Sequence, residues 1–434
     1  MDSNMYSKIL IKNGSIVDAQ KGRIYRGDLY IKDTIIEDIK DVIEIDKKDA
    51  IIIDASGMTI MAGLVDMHVH LRDPGFEDRE TIESGAGAAL AGGITSMICM
   101  PNTNPVLDSP SLIKYVIDSG KDTGCSIYPV AAMTAGLKGK NITEMGLLSE
   151  AGAIGFSDDG KAVADSKLMF EIMRYSKQFG RPLILHEEVR SFSEYGLMHE
   201  GRYSTRLGLE GISRLSDDLM IGRDIVLAEA SGARIHITHI STSGAVEMIR
   251  KAKKSGIDIT CDVTAHHLFF NDSHLKSFDT NLKVKPPIRE ARDQKALIEG
   301  VADGTIDAII SDHAPHLDTG KNTTFKLAEF GTIGLETLLA ASYSILCRDK
   351  KLSFKKVARL LGPGPAKIAG IDGGILRKGM RADIAVVDLE TGYKVKKDDF
   401  RSMSRNSAFI GQKLYGKIIY TISNGKIVYE SGSN

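Results

Sequence analysis

Hydrophobic and polar positions follow two different textures along the chain. Up to about residue 58, short apolar runs alternate with polar residues and are broken by turn residues, the pattern of short strands. Ile9-Leu10-Ile11 stands before Lys12-Asn13-Gly14 and Ser15-Ile16-Val17 after it, Asp28-Leu29-Tyr30-Ile31 alternates, and Ile51-Ile52-Ile53-Asp54 closes the region. The C-terminus repeats this texture: Ala382 to Asp388 is one strand, and Lys417 to Tyr429 reads as a hairpin turning at Asn424-Gly425. The two ends predict one small sheet domain assembled from residues 1–58 and 373–434.

Residues 59–372 alternate β-branched apolar runs with helical patterns, which predicts parallel strands joined by crossover helices. Eight such runs end near His70, Asn102, Thr134, Asp159, His186, His239, Thr264 and Asp312. Helical stretches lie between them, among them Glu83 to Ala91, Ser166 to Phe179 and Ala245 to Lys254. Eight strand–helix units close a (β/α)8 barrel, so the fold class is α/β with a TIM barrel. The wider gaps, 187–230 and 265–305, are expected to be long loops with extra helices.

Composition narrows the function classes. At 434 residues with 42% hydrophobic and 26% charged positions, the chain has the make-up of a soluble globular protein. A formal net charge of -1 gives no electrostatic case for nucleic acid or an anionic membrane. Cys99, Cys125, Cys261 and Cys347 are scattered and fit reduced thiols better than disulfides or a zinc ribbon. Met1 to Asn13 has no extended apolar core and no cleavage-site pattern, and no apolar run reaches membrane-spanning length. A cytoplasmic enzyme is expected.

The chemistry gathers at the strand ends. In Asp66-Met67-His68-Val69-His70-Leu71-Arg72, residues two apart on a strand share a face, so His68, His70 and Arg72 are expected to project together. Taken alone, His-x-His fits two core histidines as well as a metal pair. Barrel active sites, however, lie at the carboxyl ends of the strands. Here those ends carry His68, His70, Asp159, His186, His239 and Asp312. Four imidazoles and two carboxylates suffice for two divalent ions with one carboxylate shared. His236 is expected to face the surrounding helices, His266 and His267 to be structural, and His313 to turn away from Asp312. At most one of Asp158 and Asp159 should face the metal, and His199 and His274 carry no signal.

With these residues assembled, the chain resembles the amidohydrolase superfamily and, within it, the dihydroorotases of the long barrel-plus-sandwich type. The resemblance runs from about residue 8 to 430. It rests on Asp66-Met67-His68-Val69-His70-Leu71-Arg72-Asp73-Pro74-Gly75, Met100-Pro101-Asn102-Thr103 and Phe156-Ser157-Asp158-Asp159-Gly160. Leu185-His186-Glu187, Ile237-Thr238-His239-Ile240-Ser241 and Ser311-Asp312-His313-Ala314-Pro315-His316 complete it. Many relatives bridge their metals with a carboxylated lysine, whereas this chain has the pattern of dihydroorotases that use an aspartate, Asp159. The terminal sheet domain is accordingly expected to be a β-sandwich.

The resemblance implies cyclisation of N-carbamoyl-L-aspartate to L-dihydroorotate, and the reverse, in pyrimidine synthesis. It implies two zinc ions, although the donor set also accepts manganese, iron or cobalt. His68, His70, Asp159 and Asp312 would hold one ion and Asp159, His186 and His239 the other, with Asp312 also shuttling the proton. His70, Arg72, Asn102, His316 and the backbone at Phe330-Gly331 would bind substrate, under a mobile lid running from Leu317 to Gly331. In Lys283-Val284-Lys285-Pro286-Pro287-Ile288-Arg289, Lys285 stands where the family usually has a substrate-binding asparagine. A lysine there can bind through its backbone or offer its ammonium to a carbonyl. A homodimer and an association with aspartate transcarbamoylase are the protein partners implied.

Two other readings stay open. An allantoinase or dihydropyrimidinase is disfavoured by Arg72 and Asp158-Asp159 and favoured by Lys285. A non-catalytic subunit of aspartate transcarbamoylase is disfavoured because all six ligand positions are present.

Overall fold

The computed structural model describes residues 8–45 and 50–432; Met1 to Ser7, part of the N-terminal stretch considered above, lie outside the described residues. The chain opens with β1 (Lys8–Asp18), β2 (Arg23–Lys32), β3 (Ile35–Lys40), β4 (Ile51–Asp54) and β5 (Thr59–Ala62). Asn13-Gly14, expected as a turn, is a bulge inside one continuous strand: the β1–β2 register shifts between Ile11 and Gly14, and Asn13 has a φ of 63°. The neighbouring strand explains the glycine, because a Cβ on Gly14 would stand 2.4 Å from Ile60 Cδ1.

The barrel strands follow as β6 (Leu64–Val69), β7 (Ile94–Cys99), β8 (Ser126–Pro129), β9 (Ala131–Ala132), β10 (Phe156–Ser157) and β11 (Leu183–Leu185). A small parallel ribbon, β12 (Met198–His199) with β13 (Gly211–Ile212), decorates the first wide gap. The barrel then continues with β14 (Ile235–Ile237), β15 (Ile259–Thr264) and β16 (Ala308–Ile310). All barrel pairings are parallel, and β8 and β9 share the third position, one pairing β7 and the other β10. A bridge from Val69 to His313 joins the last position back to the first. This is a (β/α)8 barrel.

The expected helices form where capping residues start them. Ile82–Ala91 is capped by Thr81, Ser166–Ser176 by Asp165 and Ser243–Lys254 by Thr242, each side chain accepting a backbone N–H of the first turn. Inside the barrel, Val65, Met67, Ile98, Met100, Ile184 and Ile310 pack with Ala366, Ile368 and Ala369 of the helix Pro363–Ala369. That helix floors the barrel and leaves the carboxyl ends of the strands as its open end.

The chain finishes with β17 (Ile384–Lys394), β18 (Lys413–Ser423) and β19 (Lys426–Glu430). The terminal sheet runs β19-β18-β17-β5-β1-β2-β3, with β4 also on β1, and forms the β-sandwich around Ile9, Ile11, Ile16, Leu29, Ile384 and Val386. It takes in β5, so it extends to Ala62 rather than ending at residue 58. The β18–β19 hairpin turns at Asn424-Gly425 with φ values of 49° and 76°, the left-handed pair that this dipeptide favours. Among the described residues, no helix is long and apolar enough to cross a membrane.

Candidate metal centre

His68 lies within β6, and the other five ligand-type residues follow the last residue of their strands by one or two positions. β6 ends at Val69, β10 at Ser157, β11 at Leu185, β14 at Ile237 and β16 at Ile310, so those five fall where the backbone turns over the rim. His239 and Asp312 are in left-handed conformation, with φ of 39° and 48°. Such backbone costs energy for non-glycine residues and recurs at functional sites.

These turns, together with His68 on β6, bring all six ligand-type side chains together. Asp159 Oδ1 lies 3.4 Å from His68 Nε2, 3.4 Å from His186 Nδ1 and 3.6 Å from His239 Nε2, while its Oδ2 lies 3.6 Å from His70 Nε2. Asp312 Oδ1 lies 3.3 Å from His70 Nε2 and 3.8 Å from His68 Nε2. All six side chains are buried. Ligand atoms of His68, Asp159 and His239 lie within 4.8 Å of one another, as do those of His68, His70 and Asp312.

The outer partners fix which nitrogen faces inward. Thr238 donates its hydroxyl to Asp262 at 3.1 Å, so its oxygen accepts from His68 Nδ1 at 2.8 Å, which leaves the Nε2 lone pair aimed at the centre. Asn102 Oδ1 accepts from His70 Nδ1 at 2.9 Å with the same consequence. Asp262, fully buried, also accepts the His239 backbone N–H at 2.5 Å and faces His236 Nε2 at 2.8 Å.

This donor set fits a divalent cation. His68 Nε2 and Asp159 Oδ1 are buried without a hydrogen-bond partner among the described residues. His186 Nδ1 and His239 Nε2 face each other at 3.0 Å, an arrangement that needs a proton or a cation between them. Without a cation, burial opposes charge on His68 and His186, but Asp159, joined by Asp312 at His68 and by Glu188 at His186, outweighs it and raises them to about 9 and about 10. Burial alone would raise Asp159, yet the surrounding histidines hold it well below the usual carboxylate range, and Asp312 is held low in the same way. A metal ion would take the place of those protons.

Two expectations change here. His236 does not face the helices: it shares the inward face of β14 with Thr238 and bonds Asp262. His239 has the opposite parity and reaches the centre only because β14 ends at Ile237 and the backbone turns at His239. Arg72 likewise is not on the strand face of His68; it follows the end of β6 in left-handed conformation, with φ of 64°. Its Nε donates to the Pro315 carbonyl at 3.2 Å. Burial, and then Arg79, pull its pKa down to about 10, while Asp312, Glu329 and Asp159 push it up, so the guanidinium lies in the field of the acidic pair.

The other residues singled out line the same mouth. His316 Nε2 donates to the Phe330 carbonyl at 2.7 Å, and its Nδ1 meets Glu329. Gly331 has a φ of 141°, and a Cβ there would stand 2.8 Å from His316 Nε2, so only glycine fits this turn. The loop from Leu317 to Gly331 is pinned by two buried ammonium groups. Lys283 donates to Phe325, Lys326 and Ala328 carbonyls, and Lys321 to those of Glu329 and Gly331. The Lys285 ammonium lies 2.5 Å from Glu188 Oε1.

Among the remaining polar residues, Asp158 turns away and accepts the Met133 and Thr134 backbone N–H groups, each at 2.9 Å. His313 faces Glu80 at 3.2 Å, and His267 bonds Thr264 and the Pro286 carbonyl. His266 is buried with Nε2 unpartnered among the described residues, in the field of Asp312 and His239. A third cluster, His199, Asp272 and Glu290, is not a matching metal set. Arg289 donates to His199 Nδ1 at 3.2 Å, which puts the imidazole proton on Nε2, where a metal would need a lone pair.

Comparisons with known proteins bear on the family and the fold. A family model described as Dihydro-orotase-like matches residues 57–245. The chain is 44% identical over 424 residues to a dihydroorotase of Syntrophus aciditrophicus, covering 98% of this chain and 99% of that protein. It is 43% identical to a dihydroorotase of Caldanaerobacter subterraneus subsp. tengcongensis, covering 98% and 97%. Among solved structures, an L-hydantoinase (dihydropyrimidinase) from Arthrobacter aurescens matches with a TM-score of 0.88 at 24% identity, covering 99% of this chain and 97% of that one. A D-hydantoinase from Thermus sp. matches with a TM-score of 0.84 at 22% identity. The structural likenesses bear on the fold alone.

Proposed function

The chain belongs to the dihydroorotase family, and on that premise we propose that it interconverts N-carbamoyl-L-aspartate and L-dihydroorotate in pyrimidine synthesis. It is a metal-dependent hydrolase of a cyclic amide, acting on a small molecule. The observation that carries this reading is Asp159, whose carboxylate meets four imidazoles within 3.4–3.6 Å and keeps one buried oxygen without a hydrogen bond among the described residues.

We assign two zinc ions to the centre. His68, His70, Asp159 and Asp312 would hold the first, and Asp159, His186 and His239 the second. Ions held there supply Lewis acidity towards a carbonyl oxygen and lower the pKa of water to about 7.

The chain's own groups do the rest. Asp312, kept ionised by its histidine neighbours, is a base at the start of hydrolysis. It takes a proton from the attacking water as the new C–O bond forms. It then returns that proton to the ring nitrogen as the C–N bond breaks, and in ring closure the same transfers run backwards. Arg72 grips the substrate carboxylate, a group that L-dihydroorotate carries and dihydrouracil lacks. Asn102 and His316 complete that grip, and the pinned Phe330-Gly331 backbone closes over the ring and keeps bulk water out.

The test compares L-dihydroorotate, allantoin and 5,6-dihydrouracil with the zinc-loaded protein. Turnover of L-dihydroorotate well above the other two is expected. Turnover of either of the others with none of L-dihydroorotate would replace this reading with that of a different cyclic-amide hydrolase.

A further inference from the structure

We infer that Glu188 and Lys285 form a positioning pair that holds His186 in its metal-binding orientation, so that the Lys285 ammonium acts on the metal centre rather than on substrate. The inference rests on the reading of His186 as a metal ligand.

The geometry behind it begins at the end of β11, where Leu185-His186-Glu187-Glu188 sends two adjacent carboxylates in opposite directions. Glu187 is buried and shares a hydrogen bond with Asp224 on the helix Leu215–Ser231. Glu188 instead turns towards the barrel mouth. Its Oε2 lies 3.7 Å from His186 Nε2, and its Oε1 lies 2.5 Å from Lys285 Nζ and also accepts the Ser193 hydroxyl. The other nitrogen of His186, Nδ1, faces Asp159 Oδ1 at 3.4 Å. Lys285, Glu188, His186 and Asp159 therefore form one line of alternating charge and imidazole that ends at the centre.

Each member has a physical reason to be there. An imidazole that gives a metal its Nδ1 lone pair must carry its proton on Nε2, and a carboxylate facing Nε2 favours that tautomer and orients the ring. At 3.7 Å the contact is electrostatic rather than a formed hydrogen bond. Only 11% of the Glu188 side chain is exposed, so without a counter-ion it would be a nearly buried anion beside the centre. Lys285 supplies that counter-ion, with its ammonium 5.8 Å from the centre of the Phe330 ring. A neutral amide at this position would leave Glu188 unbalanced. The pair thus accounts for the lysine that departs from the family pattern.

The test uses full-length Glu188→Gln, Lys285→Met, Lys285→Arg and the double variant Glu188→Gln/Lys285→Met. Two quantities are read: zinc affinity by chelator competition, and KM for L-dihydroorotate at saturating zinc. Glu188→Gln and Lys285→Met should each weaken the more loosely held zinc about 10-fold or more, the usual size of such outer-partner effects. The double variant should be no weaker than Glu188→Gln alone, because the two act in series. Lys285→Arg should restore affinity, and KM in Lys285→Met should move less than about threefold. Unchanged zinc affinity in Lys285→Met together with a KM raised tenfold or more would overturn the inference and make Lys285 a substrate group. Additive losses in the double variant would overturn it too. Zinc affinity is measured without substrate, so absence of L-dihydroorotate turnover by the unaltered protein would count against the proposed function and not against the pair.

Discussion

Thr238→Val isolates the contribution of one hydroxyl to the metal centre. The hydroxyl accepts from His68 Nδ1 at 2.8 Å and donates to Asp262 at 3.1 Å, with all three residues buried. Valine has nearly the same shape, so no sizeable cavity opens, but the His68 N–H loses its acceptor. An unsatisfied buried donor costs about 1–3 kcal/mol. His68 escapes part of that cost by moving its proton to Nε2, the nitrogen that must present a lone pair to the metal. The loss therefore appears in metal affinity, and at 1.4 kcal/mol per factor of ten it corresponds to about 5- to 150-fold. That range overlaps the 10- to 100-fold loss usual for outer partners of metal-binding histidines. Chelator competition with zinc on the folded variant measures it, with far-UV circular dichroism confirming the fold. Affinity within about twofold of the unaltered protein would show that Thr238 does not set the His68 tautomer.

Three further outcomes follow from the same geometry. Asp312→Asn should retain most of its metal, since five other donors stay in place, but lose about 10²- to 10⁴-fold in kcat because the proton carrier is gone; metal content and turnover on one sample check both. Arg72→Ala should lower kcat/KM for L-dihydroorotate by about 10- to 150-fold, mainly through KM, as expected for a lost charged hydrogen bond of about 1.5–3 kcal/mol; steady-state kinetics decide it. Zinc affinity should rise with pH towards about 9, because His68 and His186, raised to about 9 and about 10 in the metal-free chain, must release protons to bind. The raised His68 also stabilises the metal-free fold fully below its unfolded value near 6.5, and that contribution disappears as pH climbs through about 9. Calorimetry in buffers of different ionisation enthalpy, with thermal melts of metal-free protein across pH, would show both trends.

Much of the site could be read from the chain because its chemistry follows apolar strand runs directly. His68, Asp159, His186, His239 and Asp312 each mark the end of such a run, and only a barrel brings those ends to one axis. What the strand period could not supply is the geometry beyond the last strand hydrogen bond. There His239 and Arg72 take left-handed backbone, and the two-residue rule fails for both. The same rule set His236 outward, although the site is served by the face that His236 shares with Thr238. The supporting carboxylates were hidden for a different reason. Asp262 meets His236 and Thr238 through the β14–β15 register, in which Ile237 stands opposite Cys261, and register is not written in either strand alone. A charged residue inside the apolar run of β15 was nonetheless a visible signal, since such a residue is rarely buried without a task. Lys283 and Lys321 carry no signal in the chain, and Lys285 is marked only as a departure from the family asparagine, not as the partner of Glu188. Their burial or pairing depends on where the loop from Leu317 to Gly331 and the end of β11 come to rest.

The central claim is that this centre works only when it holds two divalent ions around Asp159. Titrating zinc into chelator-stripped protein, with bound zinc and L-dihydroorotate turnover measured on the same samples, tests it most directly. Turnover should be absent in the stripped protein and should level off as bound zinc reaches two per chain. Full turnover without metal, or none with both ions bound, would contradict it.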